Sequence, residues 1–430
     1  MDLINNNTSG IVSIKNKPIP FTRYDIGWVV LCIGMAIGSG IVFFPIQVGI
    51  KGVWVFALSV MLGYPAVYYL QKLFIQTVVR SDEKDSYISI IASYLGGRWG
   101  MVLGIIYLLT MMKSLVEYSM VLTNDSASYL QTFGVTQSLV STHWWWGLTL
   151  VSILAFIASK GEKLLFKVSG GMVIIKMFII ISIAFIAIPS WNLNNISSIP
   201  PIGPLLLDSL LTLPFAIFSI LFVQILNPMN LAYKRRERNV NIATYKILRV
   251  HKVTYTILVI GVLLYVCSIT LSISQVEAMS AYKQNISALA LAAKVLPGNA
   301  IKIMSLTLNV FSIVTAFFGI FLTVHEAVFG IIKHPFKKYI TDNSTAEKTI
   351  SLLAIFTIIL ILWLFIISNI SIFKIFVFGA PAYGFISCLI PVYLILSQEK
   401  LKDLRSPVTY FVLFIGILMC LSPFVTFLKY

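Results

Sequence analysis

GMAIGSGIVFFP, residues Gly34 to Pro45, interrupts the first long apolar run of the chain, which extends over about residues 26–50. Such a run is long enough to cross a bilayer as one helix, since crossing takes ~20 residues. Yet Gly34, Gly38, Ser39 and Gly40 crowd into its middle. Each glycine inside a helix costs ~1 kcal/mol relative to alanine, and its bare Cα lets another group approach the backbone. Two readings compete. Gly34 and Gly38 satisfy the spacing of a small-residue seam between packed helices. Alternatively, the helix is broken here and its freed backbone lines a cavity. Gly38-Ser39-Gly40 goes beyond what a seam needs and favours a break.

A second interruption is expected in the sixth run, residues 206–232, where Asp208 is followed by Leu213-Pro214-Phe215 and Ser219. Proline removes one helix hydrogen bond and clashes with the preceding turn, so the helix should kink or unwind near Pro214. Pro228 should only bend its far end. The first and sixth runs cross in opposite directions, as an inverted repeat of five helices requires. In such an arrangement the half-helix N-termini carry partial positive charge and face a substrate carboxylate. The freed carbonyls can then hold its ammonium or a coupling cation.

The rest of the chain agrees with a membrane reading. Of 430 residues, 58% are hydrophobic and only 11% are charged, against about 25% charged in soluble domains. Mean hydropathy is +0.91. These values exclude a soluble globular enzyme, and no polar stretch is long enough to build a soluble head on a single anchor. Eleven apolar runs can be drawn: 26–50, 53–79, 100–123, 144–159, 166–189, 206–232, 253–275, 300–332, 349–367, 372–397 and 407–428. The expected fold is therefore an all-α polytopic membrane protein: eleven transmembrane helices, a five-plus-five inverted repeat with helices one and six broken, and one extra helix.

Charge placement tests that count. The net charge of +16 would suggest nucleic acid if read alone, but the basic residues sit in short loops between apolar runs. With a cytoplasmic N-terminus, 23 Lys and Arg fall inside, 6 outside and 3 within spans. That asymmetry follows the positive-inside rule, so nucleic acid is not an expected partner; the lipid bilayer is. The expected topology has the N-terminus on the cytoplasmic side and the C-terminus on the opposite side. Residues 1–25 form a polar cytoplasmic tail without the features of a cleaved secretory signal, and 26–430 a single transmembrane domain. The amphipathic stretch 81–98 should lie at the cytoplasmic interface, as a structured loop or as a gating element. Trp144-Trp145-Trp146 beside His143 reads as an interfacial aromatic belt. Cys32, Cys267, Cys388 and Cys420 match no paired spacing and read as small apolar residues.

The Gly34–Pro45 stretch resembles the first-span motif of the hydroxy/aromatic amino-acid permease family, a branch of the amino-acid/polyamine/organocation superfamily that includes bacterial serine and threonine permeases. LTLPFAIFS (211–219), FFGIFLTVHEAVFG (317–330) and the eleven-span count agree with it. One departure is plain. After the sixth-span break those permeases carry polar residues, whereas this chain has Ile220-Leu221-Phe222-Val223 and regains polarity at Gln224 and Asn227. That argues against strict serine or threonine specificity. The resemblance implies a substrate site built from Gly34, Gly38, Ser39 and Gly40 on one side and Pro214, Phe215 and Ser219 on the other.

Ionisable residues inside spans are costly and usually functional. Lys113 and Glu117 lie one turn apart and can pair, either as a buried structural pair or as a proton relay. Lys176 lies mid-span in the fifth run without a local acidic partner. In folds related to the family, the fifth helix borders the first-span break, where sodium-coupled members bind their ion. A lysine there can serve as a tethered cation whose protonation replaces sodium, or it can snorkel to the interface. His325-Glu326 is no zinc-protease motif, because Phe329 stands where a second histidine is needed. The resemblance places an acidic residue near Glu326, so this pair is a candidate for proton coupling or gating, with a structural hydrogen bond as the alternative. Thr110, Ser114, Tyr118, Ser312 and Thr315 can line the cavity or bond between helices.

No P-loop, metal-ligand spacing or catalytic constellation is present, so neither ATP, a metal nor another cofactor is expected, and the chain does not read as an enzyme. The expectation is a secondary active transporter that imports a small amino acid, serine/threonine-type or related, by symport with a cation. A proton is expected rather than sodium. Sodium coupling or exchange on the same fold is the alternative, followed by a passive channel or exporter, and remotely by an intramembrane enzyme.

Overall fold

The structure is a computed structural model that describes residues 19–81, 87–159, 162–196, 198–237, 239–336 and 344–429. All regular elements among these residues are helical. The first span is a broken pair, α1 (Arg23–Ala36) and α2 (Ser39–Lys51), bent by 47°. Then come α3 (Val53–Val79), the short α4 (Tyr87–Leu95), α5 (Gly97–Thr132), α6 (Trp144–Ala158) and α7 (Glu162–Ile186). The sixth span is a second broken pair, α8 (Ile202–Ser219) and α9 (Val223–Arg236), followed by α10 (Val240–Ser272). A helical hairpin, α11 (Gln275–Lys283) and α12 (Ala288–Val295), leads into α13 (Asn299–Phe336) and α14 (Ser344–Ile367). The tenth span is pieced from α15 (Ile372–Phe378), α16 (Ala380–Gly384), a π turn (Phe385–Leu389) and α17 (Ile390–Ser397); α18 (Pro407–Lys429) is the eleventh.

Eight of these units are long and apolar enough to cross a membrane, and the bent first pair makes a ninth. The helix α6 and residues Gly171–Ile186 of α7 are shorter apolar helices. Together they match the eleven expected runs among the described residues. Phe156, Phe178, Phe356 and Phe424 are 64–66% exposed. Exposure on that scale is a liability in water and ordinary against lipid, so the chain is a multi-pass membrane protein. Trp144 and Trp145 are exposed as well, at the start of α6. The face at which α1 begins is called inner below, and the opposite face outer.

Two expectations need correction. The third span was drawn over 100–123, but α5 continues to Thr132 and carries Asp125 into a buried position. The sixth helix does not unwind at Pro214. It runs through that proline to Ser219, and the chain loses helical form over Ile220-Leu221-Phe222. Tertiary partners fix the break at that point. The Phe222 N–H donates to Oε1 of buried Gln71 on α3 at 3.1 Å. The Ser219 hydroxyl donates back to the Ala216 carbonyl at 2.7 Å and lies 3.3 Å from the Tyr64 hydroxyl. A proline takes away one bond, whereas an outside acceptor on a backbone N–H redirects the chain.

In the bundle, α8 packs on α2 and α3, while α13 packs on α5, α7 and α14. At the inner end of α1, Thr22 and Asp25 form a capping box, with the Thr22 N–H donating to Asp25 Oδ2 at 2.7 Å. Buried Asp25 also accepts from the Tyr233 hydroxyl of α9 and faces Arg249 of α10 at 3.4 Å. The inner halves of both broken spans are thereby tied to one another. Of the amphipathic stretch 81–98, residues 82–86 lie outside the described residues, and α4 packs against α5.

Arg80, following α3, holds Asp403 in the turn between the last two spans, with Nη2 donating to Oδ2 at 2.6 Å. The hydrogen bond from the guanidinium keeps the Asp403 carboxyl below its usual range. A lowered folded-state value stabilises the fold above the carboxyl's unfolded value, and the gain is lost as pH falls through the folded one. Because Asp403 is 63% exposed, Asp403→Asn should cost under about 1 kcal/mol at neutral pH and nothing once acid has protonated the carboxyl. Unfolding midpoints of the two proteins at both pH values check this.

Candidate functional site

The two breaks meet back to back, and the glycines read from the first span make the meeting possible. A Cβ on Gly40 would run into the Phe218 carbonyl, 2.5 Å from its carbon and 2.8 Å from the Ser219 nitrogen. One on Gly38 would run into the Tyr118 hydroxyl. Only a residue without a side chain lets the first span touch the backbone of the sixth here. Gly40→Ala should therefore cost about 1–3 kcal/mol, the range for overpacking a filled core. Gly203→Ala, with open space around it, should leave the unfolding midpoint close to native. A Gly40 variant as stable as the Gly203 one would contradict this contact.

Beside the breaks lies a cavity of about 400 Å³. Its wall takes in Gly34, Gly38 and Gly40 from the first span and Lys113, Ser114, Glu117 and Tyr118 from α5. The fifth and eighth spans add Lys176, Thr315 and Thr323, and the sixth and tenth add Phe218, Gln224, Phe376 and Tyr383. The lining lies at the level of the breaks and inward of them. Outward, aromatic rings fill the space: Phe215 stacks on Phe376 at 4.5 Å between centroids, and Phe373 sits 5.1 Å from Phe43 and 4.6 Å from Tyr282 of the hairpin. The molecule is thus open toward the inner face and shut toward the outer.

Backbone supplies much of the polarity. The first N–H groups of α2 and the last carbonyls of α1 lie beyond the regular ladders of their helices, although the Ile33 carbonyl accepts the Ile37 N–H at 3.0 Å and the Ala36 carbonyl the Gly38 N–H at 2.9 Å. Both sets end at the cavity, so it offers donors and partial positive charge from one half-helix beside acceptors from the other. This suits a zwitterion. Ser39 opens α2, but its side chain lies outside the described ones.

The charged candidates divide. Lys113 Nζ lies 2.8 Å from Glu117 Oε1 and over the rings of Phe376, Phe218 and Tyr383 at 5.3, 5.8 and 5.9 Å. A Cβ on Gly379 would collide with the Lys113 stem, so that glycine makes room for it. Lys176 is 1% exposed, and its Nζ donates to Thr315 Oγ1 at 2.7 Å. The snorkelling alternative is not what the structure displays, because the side chain ends inside the protein on α13. One turn from Lys176, Val173 touches the space at Gly34, which puts the lysine against the first-span break.

Other candidates stay apart from the cavity. The His325 ring nitrogen Nε2 lies 3.1 Å from the Ser351 hydroxyl on α14, and the ring stacks between Phe321 and Phe329. Glu326 is exposed. Neither lines the cavity. Pro214, Phe215 and Ser219 are buried behind the wall rather than on it, and the sixth span presents Phe218, Leu221, Gln224 and Ile225 instead. Sequence reasoning passed over Tyr383, which accepts from Gln224 Nε2 at 3.2 Å. Its signal was Gly379-Ala380-Pro381 in the tenth span, another small-residue interruption.

No protein-family model matches the chain. A protein of Escherichia coli (strain K12) named "Probable serine transporter" is 41% identical over 414 residues, 96% of this chain and 94% of that protein. The "Serine transporter SdaC" of the same organism is 23% identical over 427 residues, 96% of each chain. Among solved structures, MhsT in complex with L-phenylalanine superposes with a TM-score of 0.59 at 13% identity, covering 95% of this chain and 98% of that one. A manganese transporter of Eremococcus coleocola superposes at 0.52 and 13% identity, over 98% and 90%. The structural likenesses carry the fold, an inverted repeat with two broken spans. The sequence likeness, two residues in five across nearly the whole length, carries more: this chain belongs to the serine transporter family, of the hydroxy/aromatic amino-acid permease type, whose members are amino-acid transporters and not enzymes.

Proposed function

We propose that this chain imports serine or a similarly small amino acid by symport with a proton across the bacterial inner membrane. The observation that carries the reading is the cavity at the two facing breaks, with a fully buried lysine against one of them. The substrate carboxylate would meet the N–H groups that open α2 at Ser39 and Gly40, while Gly38, whose own N–H donates to the Ala36 carbonyl at 2.9 Å, gives it room beside the Tyr118 hydroxyl. Its ammonium would meet the carbonyls that end α1. The serine-transporter names of the relatives support the substrate class, and the cramped aromatic wall at Phe218 and Phe376 suits a short side chain.

Lys176 supports the choice of proton. Its ammonium stands between α7 and α13, next to Gly34's contact with Val173, where it can do electrostatically what a bound metal cation would. Gaining and losing its proton on opposite sides of the membrane would then couple the cycle. The 23 to 6 distribution of basic residues supports a cytoplasmic N-terminus and a periplasmic C-terminus, with the tail 1–25 followed by one transporter domain, 26–430. In that orientation the cavity faces the cytoplasm.

Uptake of radiolabelled serine, threonine, cysteine and tryptophan into proteoliposomes tests both parts. An imposed inward proton gradient should drive serine accumulation without sodium. Accumulation that needs sodium and ignores the proton gradient would overturn the coupling, and counterflow at background for every amino acid would overturn the substrate class.

A further inference from the structure

Among the buried ionisable groups outside the cavity, Asp125 is the one that ties down the outer hairpin. Asp125, near the outer end of α5, is 1% exposed. Its Oδ1 accepts the Ser287 backbone N–H at 2.8 Å, and its Oδ2 accepts the Asn309 amide of α13. That amide also lies 3.1 Å from the Ser287 hydroxyl, which caps α12 by accepting from the Ala290 N–H at 3.2 Å. The carboxylate therefore clamps the start of α12, hence the outer hairpin, to α5 and α13. The titratable groups that face it are the phenols of Tyr129 on its own helix and Tyr265 on α10. From α12 and α13 it meets Ser287 and Asn309, while Lys294 on α12 is exposed and reaches Gln131 at 3.5 Å.

Two physical points follow from that geometry. A buried carboxylate whose partners are all neutral is costly to keep charged, so the ionised state is held by the donors that surround it. The Ser287 N–H and the Asn309 amide both donate to it, so protonation replaces charge-assisted bonds by weaker neutral ones and sets an O–H against a donor until the Asn309 amide turns over. Protonating the acid therefore weakens the hold on the closed hairpin. The clamp is also close to the substrate site, because Asn309 borders a void of about 10 Å³ whose other walls include Gly38 and Tyr118.

We propose that Asp125 is a second proton-binding residue of the transport cycle, whose protonation from outside releases the α11–α12 hairpin and opens the outer face. The proposal rests on the proton-symport reading and assigns its outward half. An importer driven by protons gains from such a device, since the outer face would open preferentially on the acidic side. Other ties hold the hairpin too: Asn285 accepts from Ile372 N–H at 3.0 Å and Gln275 donates to the Ile50 carbonyl at 2.8 Å. These are neutral and should not respond to pH.

Hydrogen–deuterium exchange of the full-length protein in proteoliposomes tests it, at acidic and at neutral pH and corrected for intrinsic exchange. Peptides covering Gln275–Val295 should exchange about tenfold faster at acidic pH, the scale of one charge-assisted hydrogen bond. In Asp125→Asn they should exchange fast at both, and Asp125→Glu should restore the pH response. Equal hairpin exchange at both pH values in the native protein, or an undiminished response in Asp125→Asn, would overturn the proposal. If Asp125→Asn fails to fold, the native and Asp125→Glu measurements decide. The readout involves no transport, so its failure is distinct from a failure of proton-driven uptake.

Discussion

Replacing Lys176 by methionine should reduce proton-driven accumulation of serine to background while leaving serine counterflow in place. The side chain is fully buried, and its ammonium donates to the Thr315 hydroxyl at 2.7 Å. Methionine keeps most of the volume and removes the titratable amine. If the amine is the coupling cation, the variant still binds substrate at the breaks and still alternates, but net movement no longer carries a proton. Lys176→Arg should fail in the same assay for the opposite reason, because a guanidinium remains charged at every accessible pH. A purely structural lysine predicts a different pattern. Both variants would then lose stability, and whatever protein folded would accumulate serine with the native pH response.

Thr315→Val separates the two further. It removes the acceptor but keeps the shape, leaving a buried donor unmade at a cost of about 1–3 kcal/mol. Under the coupling reading, this variant should shift the pH dependence of uptake without abolishing it. Its hydroxyl holds the amine in place, whereas the proton belongs to Lys176.

Much of this architecture was legible in the sequence because bilayers impose a coarse rule on composition. The eleven apolar runs all became helical, nine of membrane-spanning length once the bent first pair is included and two shorter, because every backbone polar group in lipid must be satisfied within a helix. Gly34, Gly38 and Gly40 were legible for a related reason: a residue without a side chain inside a span marks a place where something else comes close. What could not be read was anything decided by a partner distant in the chain. Pro214 is the strongest local helix-breaking signal in the sixth span, yet the break falls six residues later, where Gln71 on α3 claims the Phe222 N–H. His325 looked titratable and suitably placed, but Ser351 on α14 engages it away from the cavity. Asp125 was missed because the third run was drawn only as far as residue 123, just before Asn124 and Asp125. The helix continues past it, with Ser287 and Asn309, more than 160 residues away in the chain, supplying its hydrogen bonds.

Lys113→Met should be the most destabilising single change in the cavity wall, at about 3–5 kcal/mol, because it leaves the Glu117 carboxylate, 2% exposed, buried without its counter-charge. Glu117→Gln should cost less, because the Lys113 side chain is 18% exposed and the rings of Phe376, Phe218 and Tyr383 offset up to about 2 kcal/mol for a desolvated cation over an aromatic face. The double variant Lys113→Met/Glu117→Gln should recover most of the stability, since a buried pair replaced as a unit costs little. Unfolding midpoints of the four proteins give the coupling energy directly. Uptake by the double variant then separates the two roles open to the pair. Native pH dependence in the double variant would make the pair a structural tie between α5 and the tenth span, and would leave Lys176 and Asp125 as the protonating groups. Serine uptake that no longer follows the proton gradient would make Glu117 a relay, with Lys113 the charge that it exchanges against.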